Sequence, residues 1–358
     1  MLRKTAYIAL FFIFLIGCKD GPCPDKSSYV GGDPGRNTKQ WCEKQMPDGR
    51  IVKDGPFIAW YSATQKKTVG QYKDGKKTGK WQYFHKDGKK REVGEFNKNR
   101  RVGTWTKWEK NGQKILEGKY VKGKRDGVWV AWYANGEKKD EGGWKKGKAH
   151  GQWTYWYKDG KLKAKGNRKE KHKDGTWTYW YPDGTKKEEG KFDKGKRQGI
   201  WTVWHKNGKI DKKGSYERDK KDGVWTTYYS SGEKKNEGGW KKGKPEGKWQ
   251  HWFENGQVKS EGEMAKGRKN GVWIFYHQNG KKRQEGEYSD GKAKEETMRY
   301  WTEDGKKSEA PVELKKGDPE AEAAEKDGED KADDDKKEAK KADDDKKEAK
   351  KADVKKAE

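Results

Sequence analysis

Residues 127–151 read GVWVAWYANGEKKDEGGWKKGKAHG, and most of the chain is a variation on that text. The leading glycine recurs at Gly55, Gly79, Gly103, Gly127, Gly151, Gly175, Gly199, Gly223, Gly247 and Gly271, a spacing of 24 residues without slip. A fixed period of this length means one supersecondary unit stacked on copies of itself. Two residues after the glycine stands Trp81, Trp105, Trp129, Trp153, Trp177, Trp201, Trp225, Trp249 or Trp273, with Phe57 in the first copy. A second aromatic follows three residues later, as at Trp60, Phe84, Trp108, Trp132 and Tyr228.

A turn pair comes next, among them Asp87-Gly88, Asn111-Gly112, Asn135-Gly136 and Asn279-Gly280, with Ser231-Gly232 as a variant. Asn-Gly and Asp-Gly suit the positive φ angles of a two-residue type I′ turn, so each unit reads as a hairpin. The second strand carries a glycine and then an aromatic, as in Gly118 and Tyr120, and leaves through a basic glycine loop such as Lys145-Lys146-Gly147-Lys148. One copy departs from this pattern, with Arg168 in the aromatic position and Lys171 in place of the loop glycine. The array should be weakest there. Strict alternation puts the two aromatics of a first strand on opposite faces, whereas a bulge would return both to one face.

The Gly151–Gly160 half, G-x-W-x-x-W-Y-x-[DN]-G, and the Glu141–Gly151 half, E-G-x-[WYF]-x-x-G-x-x-x-G, resemble the MORN repeat, in its bacterial YwqK-type antitoxin-component variant. Tryptophan stands where the eukaryotic form often has a second glycine, so lipid binding by eukaryotic members transfers poorly. The resemblance covers roughly residues 47–308. It implies an all-β protein, an elongated single-layer antiparallel sheet of about ten stacked 24-residue β-hairpin repeats, and it implies no catalytic residues. One repeat should not fold alone, and the array should behave as a nearest-neighbour system.

Residues 1–18, MLRKTAYIALFFIFLIGC, hold a basic start at Arg3 and Lys4 and an apolar run too short for a permanent span. Leu15-Ile16-Gly17-Cys18 resembles a bacterial lipobox, which makes Cys18 the expected lipidation site and membrane anchor. That address is the cell envelope, on the outer-membrane or periplasmic side. Residues 19–46 form a Pro/Gly-rich leader without a strong period, in which Cys23 and Cys42 could close a disulfide loop worth ~3 kcal/mol. Two thiols with no nearby histidine fall short of a metal site. Residues 309–358 contain KADDDKKEAK twice, and no apolar face exists to dock them, so they read as a disordered charged tail.

With 41% charged and 28% hydrophobic residues, composition alone would class the chain as disordered, and the periodic aromatics overturn that reading for the repeats. The tail is net −5, leaving +33 on residues 1–308. Stacking should line up loop lysines Lys124, Lys148, Lys196, Lys244 and Lys269 as a basic rim suited to polyanions. Lysines also keep a lone sheet soluble. Trp132, Trp156, Trp180 and Trp204 with Tyr133, Tyr157 and Tyr181 form the expected contact strip, with the tyrosines as the better probes. All six histidines fall at repeat or loop positions and read as drift at half-exposed sites. Neither a nucleophile with its base nor a phosphate loop stands out, which argues against an enzyme, a cofactor or a small-molecule substrate. The expectation is a non-enzymatic envelope lipoprotein that binds a protein or an anionic envelope polymer. Its alternative is an antitoxin or immunity protein. An envelope address argues against nucleic acid.

Overall fold

The computed structural model describes residues 23–24 and 26–309. The lipobox at Cys18 and the charged tail therefore lie outside the described residues. Among the described residues there are 25 strands, which within each unit pair antiparallel, mostly with their sequence neighbours, and the described helical structure is one 3₁₀ turn, Glu295–Thr297. The chain divides into two compact units, Met1–Gly184 and Thr185–Glu358.

In the first unit the hairpin of Lys124–Trp132 and Lys138–Lys145 is typical. Its two ends use different turns, and the assignment made from sequence is reversed. At Asp87-Gly88 the Gly88 N–H donates to the His85 carbonyl (3.0 Å) and only Gly88 has positive φ (+84°). That is a three-residue loop, a type I turn closed by a left-handed glycine. The Asx residue is there for its side chain, since Asp87 Oδ1 accepts the Lys89 N–H at 3.1 Å. The type I′ turns are the basic loops, where Lys122 (φ +50°) and Gly123 (φ +81°) are both left-handed. Non-glycine residues fill both positions at Lys98-Asn99, Glu170-Lys171 and Arg218-Asp219.

The leading glycine marks a bulge. Gly118 opposes Trp129 but Lys119 opposes Asp126, so Gly127 and Val128 have no partner on that side. Gly127 takes φ +76° to allow it. The glycine bulge precedes the first tryptophan, and a second register shift, between Ala131 and Trp132, has its extra residue, Lys139, on the partner strand, so the first strand keeps its alternation and each face of the sheet carries a ladder. One face, here the indole face, is packed. Trp81 lies between Phe57 (5.7 Å, stacked), Tyr72 (5.2 Å, edge-on) and Phe96 (5.9 Å, edge-on). Each first tryptophan covers the strand-two glycine beside it: a Cβ on Gly118 would sit 2.1 Å from Trp129 Cδ2. All nine indole N–H groups from Trp81 to Trp273 donate to the carbonyl one past that glycine, at 2.8–3.2 Å. The bulge thus supplies both the space and the acceptor for the ring.

The leader is more ordered than its sequence implied. Ser28–Val30 and Lys39–Gln45 are strands, the second pairs with Ile51–Trp60, and Cys23 and Cys42 form a disulfide. The divergent copy keeps its register, since Gly166 still underlies Trp177 and the indole bonds Asn167 at 2.8 Å. Its Arg168 guanidinium lies 5.3 Å from the Trp153 ring and 5.7 Å from Trp177. That cation makes up for Ala149, which occupies the position of Arg125 and Lys173. In the second unit Met298 occupies the indole position against Gly286 and ends the ladder.

Candidate binding surface

The residue two before the leading glycine is a cation in eight of the ten copies and lies over the indole face. Arg101 stands 3.9 Å over Trp105, Arg125 4.2 Å over Trp129 and Lys221 4.2 Å over Trp240. Each is worth ~0.5–2 kcal/mol depending on desolvation. Burial pushes the Lys77 ammonium below its ordinary range, with Arg101 adding to the effect. Lys269, read as a rim lysine, belongs to this row and covers Trp273 at 5.1 Å. Lys124, Lys148, Lys196 and Lys244 are exposed and open the strands that follow the type I′ turns.

The opposite, open face carries the second aromatics half-buried. Lys114 Nζ lies 5.4 Å over Trp132 and Lys138 Nζ 5.6 Å over Trp156; in the second unit Lys186 lies 5.2 Å over Trp204. Each lysine also pairs with the glutamate three residues on: Lys114 with Glu117 (2.8 Å), Lys138 with Glu141 (2.6 Å), Lys186 with Glu189 (3.1 Å). The Lys114 bond, helped by Thr106, holds the Glu117 carboxyl below its ordinary range. On this face the bulge pushes Val128, Ile200, Val224 and Val272 outward, 49–63% exposed. Trp180 is likewise half-buried at the end of His172–Trp180.

The tyrosines of the expected contact strip have a structural duty that the sequence reading missed. Tyr133 Oη donates to the Trp156 carbonyl (2.9 Å) and Tyr157 Oη to the Trp180 carbonyl (2.7 Å), each stapling one repeat to the next. Tyr181 occupies the same position and is half-buried. The histidines there are not drift. Nε2 of His85, His205 and His277 reaches the equivalent carbonyl at 3.0–3.1 Å, which requires the proton on Nε2. Tyrosine and histidine alternate because both carry a donor near the ring tip. The turn asparagines add a second staple, Asn135 Nδ2 to the Lys158 carbonyl at 2.7 Å and Asn207 Nδ2 to Ser230 at 2.8 Å.

Residues 149–170, 173–194, 197–218, 245–266 and 269–290 match a family model described as a MORN repeat variant. Those five segments are MORN-type repeats. Those matched MORN-type segments all lie C-terminal to the hairpin described above, whose geometry they share. No curated protein matches the sequence. Among solved structures, "Crystal Structure of TcdB2-TccC3-Cdc42" shares 9% identity over 77% of this chain and 16% of that chain, with a TM-score of 0.18. A Photorhabdus luminescens Tc holotoxin pore carrying a TccC3 mutation shares 10% identity over 75% and 18%, with a TM-score of 0.17. The chain spans less than a fifth of those chains, and at such scores the likeness carries no argument.

Proposed function

We propose that this chain is a non-enzymatic, lipid-anchored protein of the bacterial envelope that serves as a repeat-built scaffold, binding a protein or an anionic polymer on its open face. The carrying observation is that face: half-buried indoles under lysine ammonium groups, beside β-branched side chains 49–63% exposed. Aromatic and aliphatic surface left in water at regular intervals suits a flat, extended partner. Exposed Lys124 and Lys148 in one unit and Lys196 and Lys244 in the other add electrostatic steering.

The test is capture from envelope extract on the full chain at low and high salt. A discrete protein retained at both salts supports the protein-partner form, and polyanions lost at high salt support the polymer form. Recovery of neither refutes the scaffold. Resemblance to the YwqK-type variant supports a second reading, an antitoxin or immunity protein. Its test is rescue of cells from the product of a neighbouring toxin gene.

A further inference from the structure

In the second unit the indole face carries a row of neutral polar side chains. Two residues past the first tryptophan, four copies have Tyr83, Tyr155, Tyr179 or Phe275 and three have Lys107, Ala131 or Val203, while two adjoining copies have Thr227 and His251. Their cross-strand partners are polar as well. Thr227 faces Asn236, Asn236 faces His251, and His251 faces Ser260, a continuous row of four across adjoining strands. Asn236 and Ser260 are only 8% and 6% exposed.

None of the four side chains makes a hydrogen bond among the described residues, and Thr227 Oγ1 is fully enclosed without a partner. Trp240 Nε1, 92% buried with its side chain beside the row, is also unpaired, as is Trp144 Nε1 at the same position of another copy. Enclosing polar groups without partners is costly.

Space for one is present. A cleft of about 870 Å³ is lined by Asn236, Trp240, Trp249, His251 and Trp273, with Lys221 and Lys269 at its sides. Two substitutions open it: Pro245 replaces the cation found over the other indoles, and Met264 replaces the second-strand aromatic. The volume lies in the range of small-ligand sites.

The chemistry of the lining selects the ligand. Amide, hydroxyls and imidazole each both donate and accept, as sugar hydroxyls do, whereas a site for a bare anion needs donors only. The Trp249 indole, whose cation is replaced by Pro245, suits the C–H face of a sugar ring, and lysines suit a carboxylate. Burial holds His251 neutral by lowering its pKa to about 4, which keeps its acceptor nitrogen. We propose that the cleft at Thr227, Asn236, His251, Trp240 and Trp249 binds an acidic saccharide. It lies on the indole face and stands independently of the open-face scaffold.

The experiment titrates the full chain with trigalacturonic acid, followed by calorimetry and tryptophan fluorescence, with maltotriose and adenosine monophosphate as comparators. Saturable binding by the acidic trisaccharide, at least about tenfold tighter than either comparator, is expected. Asn236→Leu and His251→Phe should each weaken it by roughly tenfold or more. Both variants should fold, because Leu116 and Phe275 fill the same row elsewhere. Trp156→Ala on the open face of the other unit should leave it unchanged. The proposal is overturned by no saturable binding up to about 10 mM, by unaltered affinity in both variants, or by tighter binding of the nucleotide.

Discussion

Gly118→Ala is the sharpest test of how the repeats hold together. The added methyl would start 2.1 Å from Trp129 Cδ2, and ordinary contact begins at 3.4 Å, so the ring must withdraw by more than an ångström. It has little room, with Tyr120 edge-on at 4.9 Å and the Arg125 guanidinium at 4.2 Å. Withdrawal breaks the 3.1 Å indole bond to the Lys119 carbonyl, worth ~1 kcal/mol. Uncovering about a third of an indole adds ~2 kcal/mol, for a total near 3 kcal/mol. Gly127→Ala is the control, because a Cβ there meets nothing within 4 Å and pays only for φ +76°, ~1–2 kcal/mol. Urea midpoints from tryptophan fluorescence would compare the two, with amide exchange locating the loss at Lys114–Val121 and Lys124–Trp132. Adding Trp129→Leu to Gly118→Ala should cost little beyond Trp129→Leu alone, since the clash is gone. Equal losses for Gly118→Ala and Gly127→Ala would refute the argument.

Tyr157→Phe should lose ~1 kcal/mol with the bond to the Trp180 carbonyl, while Tyr157→His should lose less, judged by thermal melting. Reducing the Cys23–Cys42 disulfide should cost ~3 kcal/mol, seen as faster amide exchange in Ser28–Val30 and Lys39–Gln45 with the later repeats unchanged. His251 has a folded pKa of about 4 against 6.5 unfolded, so the unfolded chain takes up the proton first as pH falls. Stability should therefore be full above about pH 6.5 and fall by roughly 3 kcal/mol on acidification to about pH 4. His251→Phe should remove that part of the pH dependence, measured by urea midpoints across the window.

The period and the all-β class were legible because the glycines and tryptophans do their work locally, within one hairpin and the next. The turn types were not, because asparagine and aspartate favour turns for two separate reasons. They tolerate left-handed φ, and they accept an N–H two residues on; only the backbone angles at Asp87 and Lys122 tell these apart. The histidines misled for a related cause, since a Tyr-to-His change looks like drift until both are seen to donate to the same carbonyl. The polar row was invisible because Thr227, Asn236, His251 and Ser260 are far apart in sequence and adjoin only through strand register.

The two kinds of turn have a consequence for how such a chain can change length over generations. Type I′ loops and three-residue Asx loops sit at opposite ends of every strand, and each staple reaches from one repeat to the same atom of the next. Loss or duplication of 24 residues of coding sequence therefore joins like to like wherever the breakpoints fall within the unit, and the array survives as a shorter or longer version of itself. A gain of half a unit would bring the wrong turn to each edge and leave indoles without their glycines. Recombination between near-identical copies is thus tolerated in whole steps. The stretch around Pro245, whose neighbours have diverged together, is the part that such exchange would most readily erase.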